Sequence, residues 1–277
     1  MREEKTAVIA SGGGMKCAYA AGALTALGKE LGLGAPDIAL ASSGSTGSLM
    51  YYLSGQYDEG ERAWIKFIPS PNFIRYFPFP RFNVDYLVDT VIKQYIPLDT
   101  DRLARSPSRY FVPVTDEASG ATRFIGNDTW LDPHEVLRAA MAIPLFYHRH
   151  IALGSHLYMD GGIGLGTQAL IEKAVAEGAT RILLITNLTP KKRWAKLLFR
   201  LYAYWQREPL EGVLLDYTDR IDTPVLPNSV RGLHLSPSRP LPVGLTTRDP
   251  HKVAEAFYMG YDDVMARREE ILDLLTT

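Results

Sequence analysis

The sequence predicts an α/β fold on a mainly parallel sheet, and two kinds of observation carry this. Short apolar, β-branched runs end in glycine- and serine-rich turns, and Ala/Leu-rich helical stretches follow them; strand, turn and helix occur twice in the first 55 residues. The first strand is expected at Thr6–Ala10 (TAVIA), entering the turn Ser11-Gly12-Gly13-Gly14, with a helix over Ala18–Leu31. A second strand at Asp37–Ala41 (DIALA) runs into Ser42-Ser43-Gly44-Ser45-Thr46-Gly47, and a helix resumes over Ser48–Leu53. Later strands are expected at Tyr110–Thr115, Thr122–Ile125, His156–Met159, Arg181–Thr186 and Leu233–Leu235, with a helix over Thr167–Glu177. Thr-Arg-Asp-Pro caps a single terminal helix over His251–Leu275.

Two segments depart from this pattern. Residues 68–82 (IPSPNFIRYFPFPRF) hold too many prolines for helix or regular strand, and either line an acyl site or cover the sheet. Residues 191–207 (KKRWAKLLFRLYAYWQR) mix basic with apolar side chains at helical spacing. They suit peripheral membrane contact, with Trp194, Leu197, Leu198, Leu201 and Tyr204 or Trp205 toward lipid, or an ordinary amphipathic helix. One domain over 1–277 is expected, with a core over about 6–190 and a C-terminal elaboration over about 191–277.

The 277 residues carry 30 Lys+Arg against 31 Asp+Glu, which gives no overall pull toward nucleic acid. The single cysteine, Cys17, excludes an internal disulfide and any multi-cysteine metal site. No signal peptide is read at the N-terminus, and no run approaches the roughly 20 apolar residues of a membrane span. A cytoplasmic protein, at most peripheral at a membrane, is expected.

The chemistry concentrates in three places. Ser45 stands between a buried strand and a helix among small residues, Gly44 and Gly47 included, so the chain can turn sharply and project its hydroxyl. Gly12, Gly13, Gly14 and Met15 can aim several N–H groups at one point, which suits a phosphate or an oxyanion. A dinucleotide fingerprint would need glycine where Cys17 stands and an acid where Ser42 and Ser43 stand, so no nicotinamide or flavin cofactor is expected. Nor does any spacing suggest a metal. Asp160, at a strand end before Gly161-Gly162, is a turn acid or, with a nucleophile nearby, a general base.

Together these elements resemble the patatin-like phospholipase family. Gly12-Gly13-Gly14-Met15-Lys16 is similar to its oxyanion segment, Ser43-Gly44-Ser45-Thr46-Gly47 to its nucleophile elbow and Asp160-Gly161-Gly162 to its Asp-Gly-Gly motif. Ala139-Ala140-Met141-Ala142-Ile143-Pro144 resembles the segment before that aspartate, and Ser43 and Cys17 stand where the family usually has glycine. The resemblance covers residues 6 to 190 and implies a three-layer α/β/α sandwich. It further implies a serine acyl hydrolase of phospholipids or related lipid esters, working through a Ser45–Asp160 dyad without histidine. A non-catalytic lipid- or nucleotide-binding module is the alternative, and Ser…Asp…His order would leave room for His234 or His251.

Overall fold

The computed structural model describes residues 4–77, 79–129, 132–187 and 193–276, with residues 193–195 described by backbone alone. Lys191 and Lys192 of the basic aromatic segment therefore lie outside the described residues. Among the described residues ten strands form: β1 (Thr6–Ala10), β2 (Ile38–Ala41), β3 (Ile74–Arg75), β4 (Arg81–Phe82), β5 (Arg109–Asp116), β6 (Thr122–Gly126), β7 (Ile151–Leu153), β8 (His156–Asp160), β9 (Arg181–Ile185) and β10 (Arg231–Leu235). The main sheet runs β10-β9-β1-β2-β5-β8-β7, and β6 also pairs with β5. Strands β10, β9, β1, β2 and β5 are parallel, while β6, β8 and β7 add antiparallel pairs.

Side-chain alternation sets the layers. Val8 and Ala10 of β1 point into one core with helix α1 (Cys17–Lys29) and helix α2 (Ser45–Leu53). Their neighbours Ala7 and Ile9 point into a second core, with Leu170, Ile171 and Ala174 from the helix Thr167–Ala176. Helices thus cover both faces, because a parallel strand buried on both sides must satisfy two apolar surfaces.

The C-terminal part is integral to the first core. The helix Pro250–Ala266 packs so closely on α1 that a Cβ on Gly260 would fall 2.0 Å from the Tyr19 carbonyl oxygen, and one on Gly22 1.8 Å from that of Phe257. Gly260→Ala is therefore expected to cost about 3 kcal/mol in a denaturant titration, the upper end for overpacking. Gly244→Ala, whose Cβ would meet nothing nearer than 3.8 Å, should stay within about 0.5 kcal/mol; equal effects at both positions would refute the close packing.

Two sequence expectations change. The terminal helix is two helices, Pro250–Ala266 and Arg268–Thr276. Between them the Arg267 guanidinium donates to the His234 carbonyl of β10 at 2.9 Å and pairs with Glu270, tying the bend to the sheet edge. The proline-rich stretch holds a hairpin of two-residue strands, Ile74 opposite Phe82. Beyond it, residues 86–95 form a wide, π-type helix that is anchored at Arg138: this buried side chain donates to Asp85, Asp89 and Glu135.

Candidate active site

Strand pairing brings the serine turn and the Asp160 segment together. β6 occupies one edge of β5, opposite Phe111 to Thr115. β2 and β8 share the other edge end to end, β2 along Arg109 to Phe111 and β8 along Val114 to Asp116. β8 runs antiparallel, so its last residue, Asp160, faces the end of β2. The β2–β5 offset carries Ser43 to the level of Val114, the residue that pairs with Asp160.

The backbone there singles out Ser43. It has φ +53, in the left-handed region that side chains other than glycine seldom adopt. Strain of this kind costs about 1–3 kcal/mol and marks a sharp strand-to-helix elbow. Gly12 keeps the elbow tight: a Cβ there would lie 2.8 Å from Ser42 Oγ and 3.0 Å from Ser43 Cβ.

Ser45 is placed differently from the sequence expectation. It begins α2, is fully buried, and its Oγ donates to the Ser11 carbonyl at 2.7 Å. Its hydroxyl makes no hydrogen bond to Asp160, and Ser45 does not line the apolar cavity that Ser43, Gly44 and Gly47 border. The physical reason is the turn length. β2 ends at Ala41, the elbow falls two residues later, and by residue 45 the helix has already begun. Ala41-Ser42-Ser43-Gly44-Ser45 offers small residues around Ser43 as well, and counting from the strand end would have favoured that frame.

Asp160 is held from several sides. Its N–H donates to the Ala142 carbonyl at 3.0 Å, its carbonyl accepts from Thr115 Oγ1 at 3.1 Å, and its Oδ1 accepts from the Gly162 N–H at 2.8 Å. Gly161 lies so close to β5 that a Cβ there would fall 2.3 Å from the Pro113 carbonyl oxygen. Oδ2 is buried without a hydrogen bond among the described residues. The Ser43 hydroxyl faces the carboxylate and favours its charged form. Burial outweighs that help and pushes the Asp160 carboxyl up to about 7. Tyr217, which sequence reasoning missed, is half-buried beside it; loss of water around its phenol raises that group's pKa, and the negative charge of Asp160 adds to the rise.

The glycine turn lies beside the elbow, Gly12 against Ser43, and Gly14 borders the same cavity as Ser43. Gly14 has φ +58 and packs so tightly that a Cβ would lie 2.6 Å from the Leu245 carbonyl oxygen. That carbonyl accepts the Met15 N–H at 3.1 Å, which removes Met15 from the expected oxyanion donors. The N–H groups of Gly12, Gly13 and Gly14 make no hydrogen bond among the described residues. Lys16 is largely buried at the turn, which lowers its ammonium pKa. Cys17 is fully buried against Asn187, and burial pushes its thiol up to about 11, so it is no reactive cysteine. Gly44 leaves room for it: a Cβ there would sit 3.1 Å from its Sγ.

An apolar cavity opens from Ser43, Gly14 and Met15 toward Trp64, Ile68, Phe73, Phe82, Leu87 and Met141. Ile68, Phe73 and Phe82 of the proline-rich segment thus line this apolar cavity.

Among the described residues no histidine hydrogen-bonds to Ser43 or Asp160. His134 and His150 sit with Asp132 and Glu117, His156 with Asp116, and His234 with Thr186; His148 and His251 are exposed.

The family model described as patatin-like phospholipase matches residues 8–171. Uncharacterized protein YjjU of Escherichia coli (strain K12) is 24% identical over 268 residues, covering 89% of this chain and 72% of its own. VipD from Legionella pneumophila shares the fold, with TM-score 0.51 and 12% identity over 97% of this chain and 67% of its own. Human GIVD cytosolic phospholipase A2, solved with methyl gamma-linolenyl fluorophosphonate, aligns at TM-score 0.46 and 15% identity, over 98% of this chain and 59% of its own. The family match runs from β1 through Asp160 and over more than half of the chain, so this protein belongs to the patatin-like phospholipase family.

Proposed function

We propose that the chain is a serine acyl hydrolase of phospholipids or related lipid esters, with Ser43 as nucleophile and Asp160 as general base. The observation that carries this reading is one juxtaposition. The Ser43 hydroxyl, on a strained elbow, stands between a buried carboxyl with a pKa about 7 and the unpaired N–H groups of the glycine turn, at the mouth of an apolar cavity. Ser45, the nucleophile expected from sequence, serves instead to brace the Ser11 carbonyl.

In this mechanism Ser43 Oγ attacks the acyl carbonyl carbon as its proton passes to Asp160 Oδ2. N–H groups of Gly12, Gly13 and Gly14 hold the oxyanion, each worth a few kcal/mol. The tetrahedral species collapses, the C–O bond of the ester breaks, and the alcohol leaves with the proton from Asp160. Water then attacks the acyl-enzyme, gives its proton to Asp160, and the acid leaves as Ser43 regains its hydrogen. The acyl chain lies along Trp64, Phe73 and Phe82. No metal or cofactor enters any step.

A fluorophosphonate probe tests this directly. Peptide mapping should find the phosphonyl adduct on Ser43. An adduct on Ser45 would restore the frame expected from sequence, and a protein that takes no label while still binding fatty acid would be a lipid-binding module.

A further inference from the structure

Large apolar side chains stand in water on two elements that flank the site. The first is the β3–β4 hairpin. Its Tyr76 hydroxyl donates to the Thr246 carbonyl at 2.9 Å and accepts from the Arg248 N–H at 3.1 Å, and the Arg248 guanidinium covers the Tyr76 ring at 4.6 Å. The hairpin is thereby pinned to the loop whose Leu245 touches the glycine turn. At its tip Phe77 is 91% exposed, far more than a lone aromatic on a rigid turn would need to be.

The second element is the helix Arg193–Ala203 with its final turn. Its inner face carries Phe199 and Ala203. Phe199 packs edge-on against Tyr217, the neighbour of Asp160, with ring centroids 5.0 Å apart. Its outer face carries Leu197, Leu201, Tyr204 and Trp205, spaced i, i+4, i+7 and i+8, and all are exposed, Trp205 by 86%. Leu198 is half-buried and does not belong to this stripe.

Charge accompanies both apolar surfaces. Residues 71–82 contain Arg75 and Arg81 and no acid; residues 193–207 contain Arg193, Lys196, Arg200 and Arg207 and no acid. Arg200 is engaged by Asp219. In a chain with 30 basic and 31 acidic residues, this local exclusion of acids is selective.

We infer that the hairpin tip and the outer helix face together dock the protein on an anionic lipid surface. The inference rests on the hydrolase reading for its purpose, since an ester lifted from a bilayer into the cavity need not cross water. Aromatic and leucine side chains enter the interface while arginine and lysine meet anionic headgroups, a pairing of two weak signals that gives reversible binding. A protein partner would be served by the apolar faces alone, whereas the absence of acids on both elements fits a surface that is negative throughout.

The test is cosedimentation with vesicles of phosphatidylcholine mixed with phosphatidylglycerol, and with phosphatidylcholine alone. Wild type should bind the anionic vesicles more tightly, and added salt should weaken that binding. Phe77→Ser and Trp205→Ser should each weaken it by about tenfold, and neither should change turnover of a soluble p-nitrophenyl ester. Both side chains are so exposed that the fold does not depend on them. Wild-type binding by both variants, absence of binding to anionic vesicles, or a change confined to self-association would each overturn the inference. Binding is measured in the Ser43→Ala protein as well, so a failure of the catalytic assignment leaves this result readable.

Discussion

Ser43→Ala should lower kcat on a soluble aryl ester by about 10⁴-fold or more, while Ser45→Ala keeps turnover within about tenfold of wild type. The contrast follows from where each hydroxyl points. Ser43 faces the Asp160 carboxylate and the cavity, so its loss removes the bond-forming atom. Ser45 donates its hydrogen bond to the Ser11 carbonyl, and its removal leaves a buried acceptor short of a partner, at about 1–2 kcal/mol of stability. A modest fall in kcat is still expected for Ser45→Ala. The Ser11 carbonyl and the Gly12 N–H belong to one planar peptide unit, so loosening one end frees the other. The experiment needs both variants in one assay with melting curves beside it. If Ser45→Ala loses turnover at full stability and Ser43→Ala keeps it, the elbow has been assigned to the wrong serine.

The second large effect is at Asp160, where activity and stability should move in opposite directions. Unfolded, its carboxyl titrates near 3.8; folded, burial moves it to about 7. Between those pH values the native protein holds a proton that the unfolded chain has released. Stability therefore falls as pH rises through this window, and the penalty is complete above pH 7. Asp160→Asn has nothing to ionise, so it should melt higher than wild type at pH 8, by an amount equivalent to about 4 kcal/mol. The gain should shrink toward zero near pH 4. Turnover should drop by several orders of magnitude, because the amide cannot take the Ser43 proton. In wild type, kcat/KM should rise through about pH 7. That is higher than an ordinary carboxylate and overlaps histidine, so the position of the limb does not identify the base. Organic cosolvent does: it raises the pKa of a neutral acid and hardly moves that of a cationic imidazolium. Melting curves of Asp160→Asn that track wild type at every pH would show that the carboxyl is not buried as described.

Much of this arrangement was legible in the residues. The run TAVIA and its glycine turn, the second strand with its small-residue turn, and an aspartate before two glycines each lie where local chemistry points. What stayed hidden is non-local. Ser42, Ser43 and Ser45 are equivalent in composition. Only the strand end at Ala41, the positive φ at residue 43 and the end-to-end meeting of β2 with β8 distinguish them. Met15 was read as an oxyanion donor because its competitor, the Leu245 carbonyl, lies 230 residues away in the chain. The break at Arg267 likewise depends on β10, which no helical periodicity reports. Tyr217 gave no signal at all, since a tyrosine in an amphipathic helix has no reason to be read as the neighbour of a carboxylate.

The contact between the first turn of the chain and Leu245 bears on how the protein is made. The glycine turn is synthesised about 230 residues before the carbonyl that accepts the Met15 N–H and the side chain that packs on Gly14, both of which belong to Leu245. Until then the turn lacks its outer wall, and the helix that locks onto α1 through Gly260 has not been synthesised. A growing chain thus carries Ser43 and Asp160 before the glycine turn has its outer wall. Under the proposed function, hydrolysis would therefore wait until the segment that carries Leu245 and Gly260 has folded onto the turn and α1.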